Sequence, residues 1–445
     1  MTLSEPLIRK ENDRAVWWMM AVLFALALII RLACYTGLIA SDDLGYSQFA
    51  QQIAHGTYRL EPHHYAIRYG VIVPVGVIYG LFGIHEWTTV ILPLLSSALA
   101  PALLALLAWK LWGRGAAWIA GLLLATFPVD IRFASVLVPE PLFETMLLAG
   151  VLLFVFAEHR SSRILALLAG VVLAISYLTK EPGAFVVMAL FGFAVLTRRW
   201  LLALWFAAGA ALAVASEVVW YWSQSGDLLF RFHAMAIHNA SGMAVAANEN
   251  LSYRLWKAYP HMMLVPGLHF GLHSLLALGL AAVALWRRSV KILLLVLWAA
   301  LPFLYLNFGT TSFKHYWALP EAPRYIALIY APLFLMAAMV LAGWAATPMK
   351  RSAAAALVAI VCLLGVGCAF RTRGTGYQTE HVRRLREIIA ATHQQGRQIC
   401  EFTGPFDTAW RQVVVLLAPD QLGCNGSSPL QVVPDASGLP SIAQR

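Results

Sequence analysis

Long apolar runs decide what this chain can fold into. Stretches dominated by Ala, Val, Leu, Ile, Phe and Trp occupy residues 15–36, 87–109, 112–128, 141–157, 163–178, 183–197, 200–221, 264–286, 291–307, 325–346 and 353–370. A run of about 20 apolar residues spans the hydrocarbon core of a bilayer. The hydropathy criterion therefore predicts an all-α polytopic membrane protein with about eleven transmembrane helices. Composition agrees: of 445 residues, 60% are hydrophobic and only 12% charged, where a soluble domain carries roughly 25% charged residues.

The net charge of +10 does not point to nucleic acid, because the cations are not pooled on one surface. They cluster at Arg9 and Lys10, Lys110 and Arg114, Arg160 and Arg163, Arg198 and Arg199, Arg287, Arg288 and Lys291, and Lys350 and Arg351. Each cluster follows or precedes an apolar run in the way the positive-inside rule expects of cytoplasmic loops. Residues 1–14 are thus expected in the cytoplasm, as the start of an uncleaved first helix with no small-residue cleavage site. Residues 15–370 form the transmembrane domain. The connections 37–86, 129–140, 179–182, 222–263 and 308–324 face outward, as does the region 371–445. That last region reads as a helix ("TEHVRRLREIIAATHQQG"), a short strand ("RQICEF") and an apolar piece ("RQVVVLLA"), with a Pro/Ser/Gly-rich end expected to be poorly ordered. Cys400 and Cys424 lie in it and would pair in an oxidising space.

The outward connections hold most of the acids, histidines and aromatics. In the first, Tyr46, Phe49, Ala50, Ile53 and Ala54 follow helical spacing, opposite Ser47, Gln48, Gln51, Gln52 and His55. This predicts an amphipathic helix along the membrane interface. Ser41, Asp42 and Asp43 stand at its start. Ser41 has the chemistry of an N-cap, and the two acids suit the positive end of a helix dipole. The same placement keeps a carboxylate ionised at the membrane surface, where it can take a proton from a hydroxyl acceptor.

Further chemistry gathers on the same side. Glu140 lies between two prolines at the start of a membrane run, and Glu144 lies one turn deeper, where acids are costly and functional by default. Asp130 and Arg132, just before them, have the spacing of a simple ion pair. Lys180, in "YLTKEPGAF", breaks the positive-inside pattern. It is either paired with Glu181 or an anion ligand. Arg324 breaks the pattern too, Arg31 lies near the outer end of the first run, and Arg68 lies in "AIRYGVIVP". Cations converging near acids at a membrane interface suit the phosphate of a lipid carrier. His63 and His64, in "EPHHY", lack the spacing of a helical metal motif and are expected to hydrogen-bond at the interface, so no metal cofactor is favoured. Neither a phosphate-binding glycine loop nor a dinucleotide motif is present.

In order along residues 15–346, the motif Asp42-Asp43-Leu44-Gly45-Tyr46, "RYGVIVPVGVIYGLFG", "PEPLFE", "YLTKEPG" and "PRYIALIYAP" resemble the GT-C glycosyltransferases. The likeness is strongest to the clan of protein O-mannosyltransferases and lipid A aminoarabinose transferases. The resemblance implies a sugar donor carried on polyprenyl phosphate, used on the outer face of a bacterial inner membrane, with a lipid, glycan or protein acceptor. Asp42 then matches the catalytic base, Asp43 the second acid of that motif, Glu140 the second-loop acid, Lys180 the turn lysine, and Arg324 with Tyr325 the late Arg-Tyr pair. Arg68 and Arg132 are further candidates for the donor phosphate, and Tyr46, His63 and His64 for acceptor contacts or support. The short tail departs from relatives with larger soluble domains, so the resemblance does not name the acceptor. A flippase for lipid-linked sugar would want outer cations too, but should bind at mid-membrane. A polysaccharide ligase or polymerase shares the donor chemistry.

Overall fold

The computed structural model describes residues 14–237, 251–265, 267, 269–310, 316, 318–345, 347–424 and 430–443. The expected cytoplasmic segment before Arg14 and parts of the connections 222–263 and 308–324 lie outside the described residues. Ten helices open the chain: α1 Arg14–Ala33, α2 Asp42–Ala54, α3 Tyr69–Phe82, α4 Glu86–Trp112, α5 Arg114–Ala125, α6 Pro128–Phe133, α7 Pro139–Arg160, α8 Arg163–Thr179, α9 Gly183–Leu196 and α10 Trp200–Ser225. The later long helices are Gly271–Leu285, Val290–Phe308, the run Pro323–Trp344 and Pro348–Thr372.

Seven described helices are long and apolar enough to cross a membrane: α1, α4, α7, α10, Val290–Phe308, Pro323–Trp344 and Pro348–Thr372. The other four expected spans correspond to shorter apolar helices, α5, α8, α9 and Gly271–Leu285. Even α8, with 17 residues, rises only about 26 Å at 1.5 Å per residue, somewhat short of a ~30 Å hydrocarbon core. The apolar runs over α5 and Gly271–Leu285 outrun their helices, whereas those over α8 and α9 end within a residue of them. One more short apolar helix, α3, sits inside the connection 37–86, which the sequence reads as a single interfacial excursion.

Local chemistry sets many of the ends. Pro128, Pro139 and Pro348 open helices within their first turn, where a missing N–H costs nothing. Ser162 and Ser289 accept from Leu165 N and Ile292 N at 3.3 Å each, capping α8 and Val290–Phe308. The run Pro323–Trp344 forms the centre of the bundle, buried from Ile326 through Leu341. Gly271–Leu285, Val290–Phe308 and α5 surround it.

At the crossing of α8 and α10 two glycines replace side chains by backbone. A Cβ on Gly170 would run into Phe206 O, and one on Gly209 into Leu167 O. Small residues let membrane helices approach closely. Gly209→Leu is therefore expected to force the pair apart and destabilise the bundle by about 1–3 kcal/mol or more. A lower midpoint of thermal unfolding in detergent checks this, and an unchanged midpoint would refute the close-packing role.

The described residues after Arg371 form a small folded unit. The helix Thr379–Gln394, strand β1 Ile399–Phe402, the helix Asp407–Leu417 and strands β2 Leu430–Pro434 and β3 Pro440–Ile442 share a core of Leu385, Ile399, Trp410, Val413, Val414 and Val432. The sheet runs β1-β2-β3, with β1 parallel and β3 antiparallel to β2. Cys400 and Cys424 form a disulfide. The end expected to be poorly ordered supplies β2 and β3, because β1 offers a template and Val432 is buried against the helices. This unit packs on Leu38, Ala40 and Leu44 around the start of α2, and Arg386 pairs with Glu86 at 2.6 Å.

Candidate active site

The two adjacent acids at the start of α2 face different ways. Asp43 is fully buried, and its two oxygens accept from Ile39 N at 2.8 Å and Ser41 N at 2.7 Å. Ser41 makes no side-chain cap bond, so the capping role expected of it is not seen. Instead Asp43 closes the turn. Burial pushes the Asp43 carboxyl up to about 6, against the pull of those N–H donors. The sequence groups Asp43 with Asp42 as a catalytic acid; in the structure each oxygen of its buried carboxyl accepts from a backbone N–H of the loop before α2.

Holding Asp43 inward leaves Asp42 turned outward. Its side chain keeps 24% exposure and pairs with Arg324 through Oδ2, while Tyr65 Oη donates to Oδ1 at 2.7 Å. Burial first, and then the Asp42 charge, raise the Tyr65 phenol far above its ordinary range, so it stays a donor. Gly45 makes this contact possible: a Cβ there would overlap the Tyr65 ring. Tyr46, His63 and His64 brace the same ring from the side, with ring centroids 4.7, 4.8 and 3.8 Å from it. All three thus pack on the ring whose hydroxyl donates to Asp42.

Arg324 links Asp42 to a second acid. It begins the run Pro323–Trp344, behind a proline, and is 7% exposed. Its Nε lies 3.3 Å from Glu140 Oε1. Glu140 stands in the first turn of α7 and receives Lys180 Nζ at 2.5 Å. Lys180 in turn lies 3.8 Å from the centre of the Tyr325 ring, a favourable cation–π distance. Arg324 Nη1 and Glu140 Oε2 are buried with no hydrogen-bond partner among the described residues. Burial lowers Lys180 to about 8; Glu140 opposes that fall, whereas Arg324 and Arg68 add to it.

The pairing of Lys180 with Glu181 is replaced by a longer pattern. Glu181 faces Arg68 at 3.1 Å and Arg231 at 3.8 Å, and these two cations hold its carboxyl below the usual range despite burial. Arg231 continues to Glu217 at 2.7 Å, while Arg68 also donates to Tyr46 Oη. Arg68 thus borders the site through Tyr46 and Glu181. Glu181, Arg231 and Glu217 are contacts that sequence spacing does not reveal. Arg132 donates to Thr375 O at 2.8 Å and shares the Phe133 ring with Arg324, the two guanidiniums 5.8 and 5.6 Å from its centre. Asp130 likewise faces Glu144, by a side-chain hydrogen bond, and Arg31 rather than Arg132. Among the described residues no three His, Cys, Asp or Glu side chains are arranged to hold a metal ion.

Comparison with known proteins bears on this geometry. A sequence model described as dolichyl-phosphate-mannose-protein mannosyltransferase matches residues 75–222. Among solved structures, apo ArnT from Cupriavidus metallidurans superposes with a TM-score of 0.65 at 15% identity, covering 95% of this chain and 94% of that one. The same protein bound to undecaprenyl phosphate gives 0.61 at equal coverage. The apo oligosaccharyltransferase from Archaeoglobus fulgidus gives 0.57 at 13% identity, over 92% of this chain and 65% of that one. The chain has the GT-C fold. No curated protein sequence matches it.

The segment matching the family model contains Glu140 and Lys180 but neither Asp42 nor Arg324. The GT-C fold closes that gap, because it brings residues 42, 140, 180 and 324 into one chain of contacts. Tyr65 and Tyr377 complete the surround. Tyr377 lies in the link to the C-terminal unit, its ring centre 5.8 Å from the Arg324 guanidinium.

Proposed function

We propose that this protein is a membrane glycosyltransferase that moves a sugar from a polyprenyl-phosphate donor to an acceptor on the extracytoplasmic face, with inversion and Asp42 as general base. One observation carries the reading. Arg324 joins an outward-turned carboxylate, Asp42, to a buried Lys180–Glu140 pair while keeping an N–H at Nη1 that has no partner among the described residues. A solved GT-C relative holds undecaprenyl phosphate and another is described with a dolichol-phosphate, which supports a lipid phosphate as the anion. The Cys400–Cys424 disulfide supports an oxidising compartment for the C-terminal unit and the loop it covers.

The chemistry is a single displacement. The acceptor oxygen or nitrogen attacks the anomeric carbon, its proton passes to Asp42, and the bond from that carbon to the phosphate oxygen breaks. Polyprenyl phosphate leaves with the bonding electrons. A phosphate is already a good leaving group, so the site needs one base and fixed positive charge rather than a second, protonated acid. Lys180 and Arg324 supply the charge without a metal, and Glu140 holds both in place. Tyr65 and the buried Asp43 fix the direction of Asp42.

The test is release of free polyprenyl phosphate from a short-chain donor by purified protein, dependent on acceptor. Movement of the intact donor across a vesicle membrane with no release would instead indicate a flippase. A pH dependence also follows. Lys180 titrates near 8 and binds an anion only when protonated, so donor affinity should be full below that pH and fall up to about tenfold per unit above it. Lys180→Arg should remove the decline. A wild-type affinity that stays flat from pH 7 to 9.5 would take Lys180 out of the phosphate site.

A further inference from the structure

Tyr377 is placed at the site by an unusual backbone. Its φ is 51°, and the neighbouring Gly374 and Gly376 have φ of 61° and 84°. Glycine adopts the left-handed region freely, but a bulky residue there is an outlier that the surroundings must enforce. The surroundings do so from both sides. Arg132 donates to Thr375 O at 2.8 Å, Arg373 to Ala33 O at 3.2 Å, and Gln378 N to Ile39 O at 3.2 Å. The last contact ties the link to the loop that leads into Asp42.

Packing does not account for this arrangement. A tyrosine held in place only to fill space would be buried, yet Tyr377 is 49% exposed. Its ring meets Phe133 edge-on at 6.2 Å and lies beside Arg324, which pairs with Asp42. A half-exposed aromatic ring thus stands next to the pair that would hold phosphate on one side and receive the acceptor proton on the other. A pyranose in that gap would present C–H groups of partial positive charge to the negative face of the ring.

We propose, resting on the transferase reading, that Tyr377 is the platform on which the transferred sugar ring stacks. Its contribution is to the sugar, not to the lipid phosphate, and it comes from the ring rather than the hydroxyl. The C-terminal unit thereby supplies a wall of the donor site, and the Gly374–Gly376 link positions it.

The experiment compares two ligands across three variants. Tyr377→Asn and Tyr377→Gly remove the ring while suiting a left-handed backbone, so the fold is not strained by the change. Both should raise the KM for a polyprenyl-phosphate sugar about five- to tenfold and leave inhibition by sugar-free undecaprenyl phosphate unchanged. Tyr377→Phe should stay within about twofold of wild type. If inhibition by the sugar-free lipid weakens by the same factor as the donor, Tyr377 acts only through Arg324 and the proposal is overturned. Wild-type KM in Tyr377→Asn overturns it as well. Absence of any lipid-phosphate release by the wild-type protein is a different result, and takes the transferase reading down together with the platform.

Discussion

Asp42→Asn should lower the transfer rate by about 10²–10⁴-fold, the usual share of a positioned general base, while leaving donor binding close to wild type. The substitution keeps size and keeps an oxygen to accept from Tyr65 Oη. It removes the ability to take a proton, and it removes the negative charge that faces Arg324. Freed of that charge, Arg324 should hold the anionic donor no less tightly. The expected signature is therefore a collapse of kcat with an unchanged or lower KM, read in single-turnover assays. Asp43→Asn provides the contrast. Its side-chain amide would face one of two backbone donors, Ile39 N or Ser41 N, and that lost buried bond should cost about 1–3 kcal/mol of stability. Full transfer by the Asp42→Asn protein would end the base assignment.

The contrast between these neighbours shows what sequence can and cannot carry. Both acids are legible as important, because two carboxylates precede an amphipathic pattern at a membrane edge. Which one turns inward depends on the path of residues 39–41 and on Ala40, whose φ is 52°, and no local pattern announces that. Lys180 and Arg324 stand out because they violate a charge rule set by the whole topology. Their partners do not: Lys180 pairs with Glu140 forty positions back, while the adjacent Glu181 pairs with Arg68. Such pairings follow from how helices pack, and packing is a property of three dimensions. The C-terminal unit hides for another reason. Strands of five and three residues leave little periodicity, and their Pro/Ser/Gly setting reads as disorder until β1 and a disulfide hold them. Tyr377, in "GTGYQ", looks like an ordinary turn residue.

Replacing Arg324 should have the second large effect, because that side chain connects the two halves of the proposed site. Arg324→Gln removes a buried cation from between Asp42 and Glu140 and takes away the Nη1 donor. Loss of one fixed charge-stabilising donor costs about 10²–10³ in rate, and kcat/KM should fall by at least that much. Arg324→Lys should restore little, since a single ammonium cannot reproduce a planar fork serving both acids and a phosphate. A general collapse of the fold would also lower activity, and pH separates the two. Arg324 is one of the groups that push the Lys180 pKa down to about 8. Without it Lys180 should hold its proton to higher pH, so the alkaline decline in donor affinity moves upward even as affinity at pH 7 weakens. A weaker binder with a more alkaline limb is what a shared phosphate site predicts. An unshifted limb would mean that Lys180 and Arg324 do not act on the same anion.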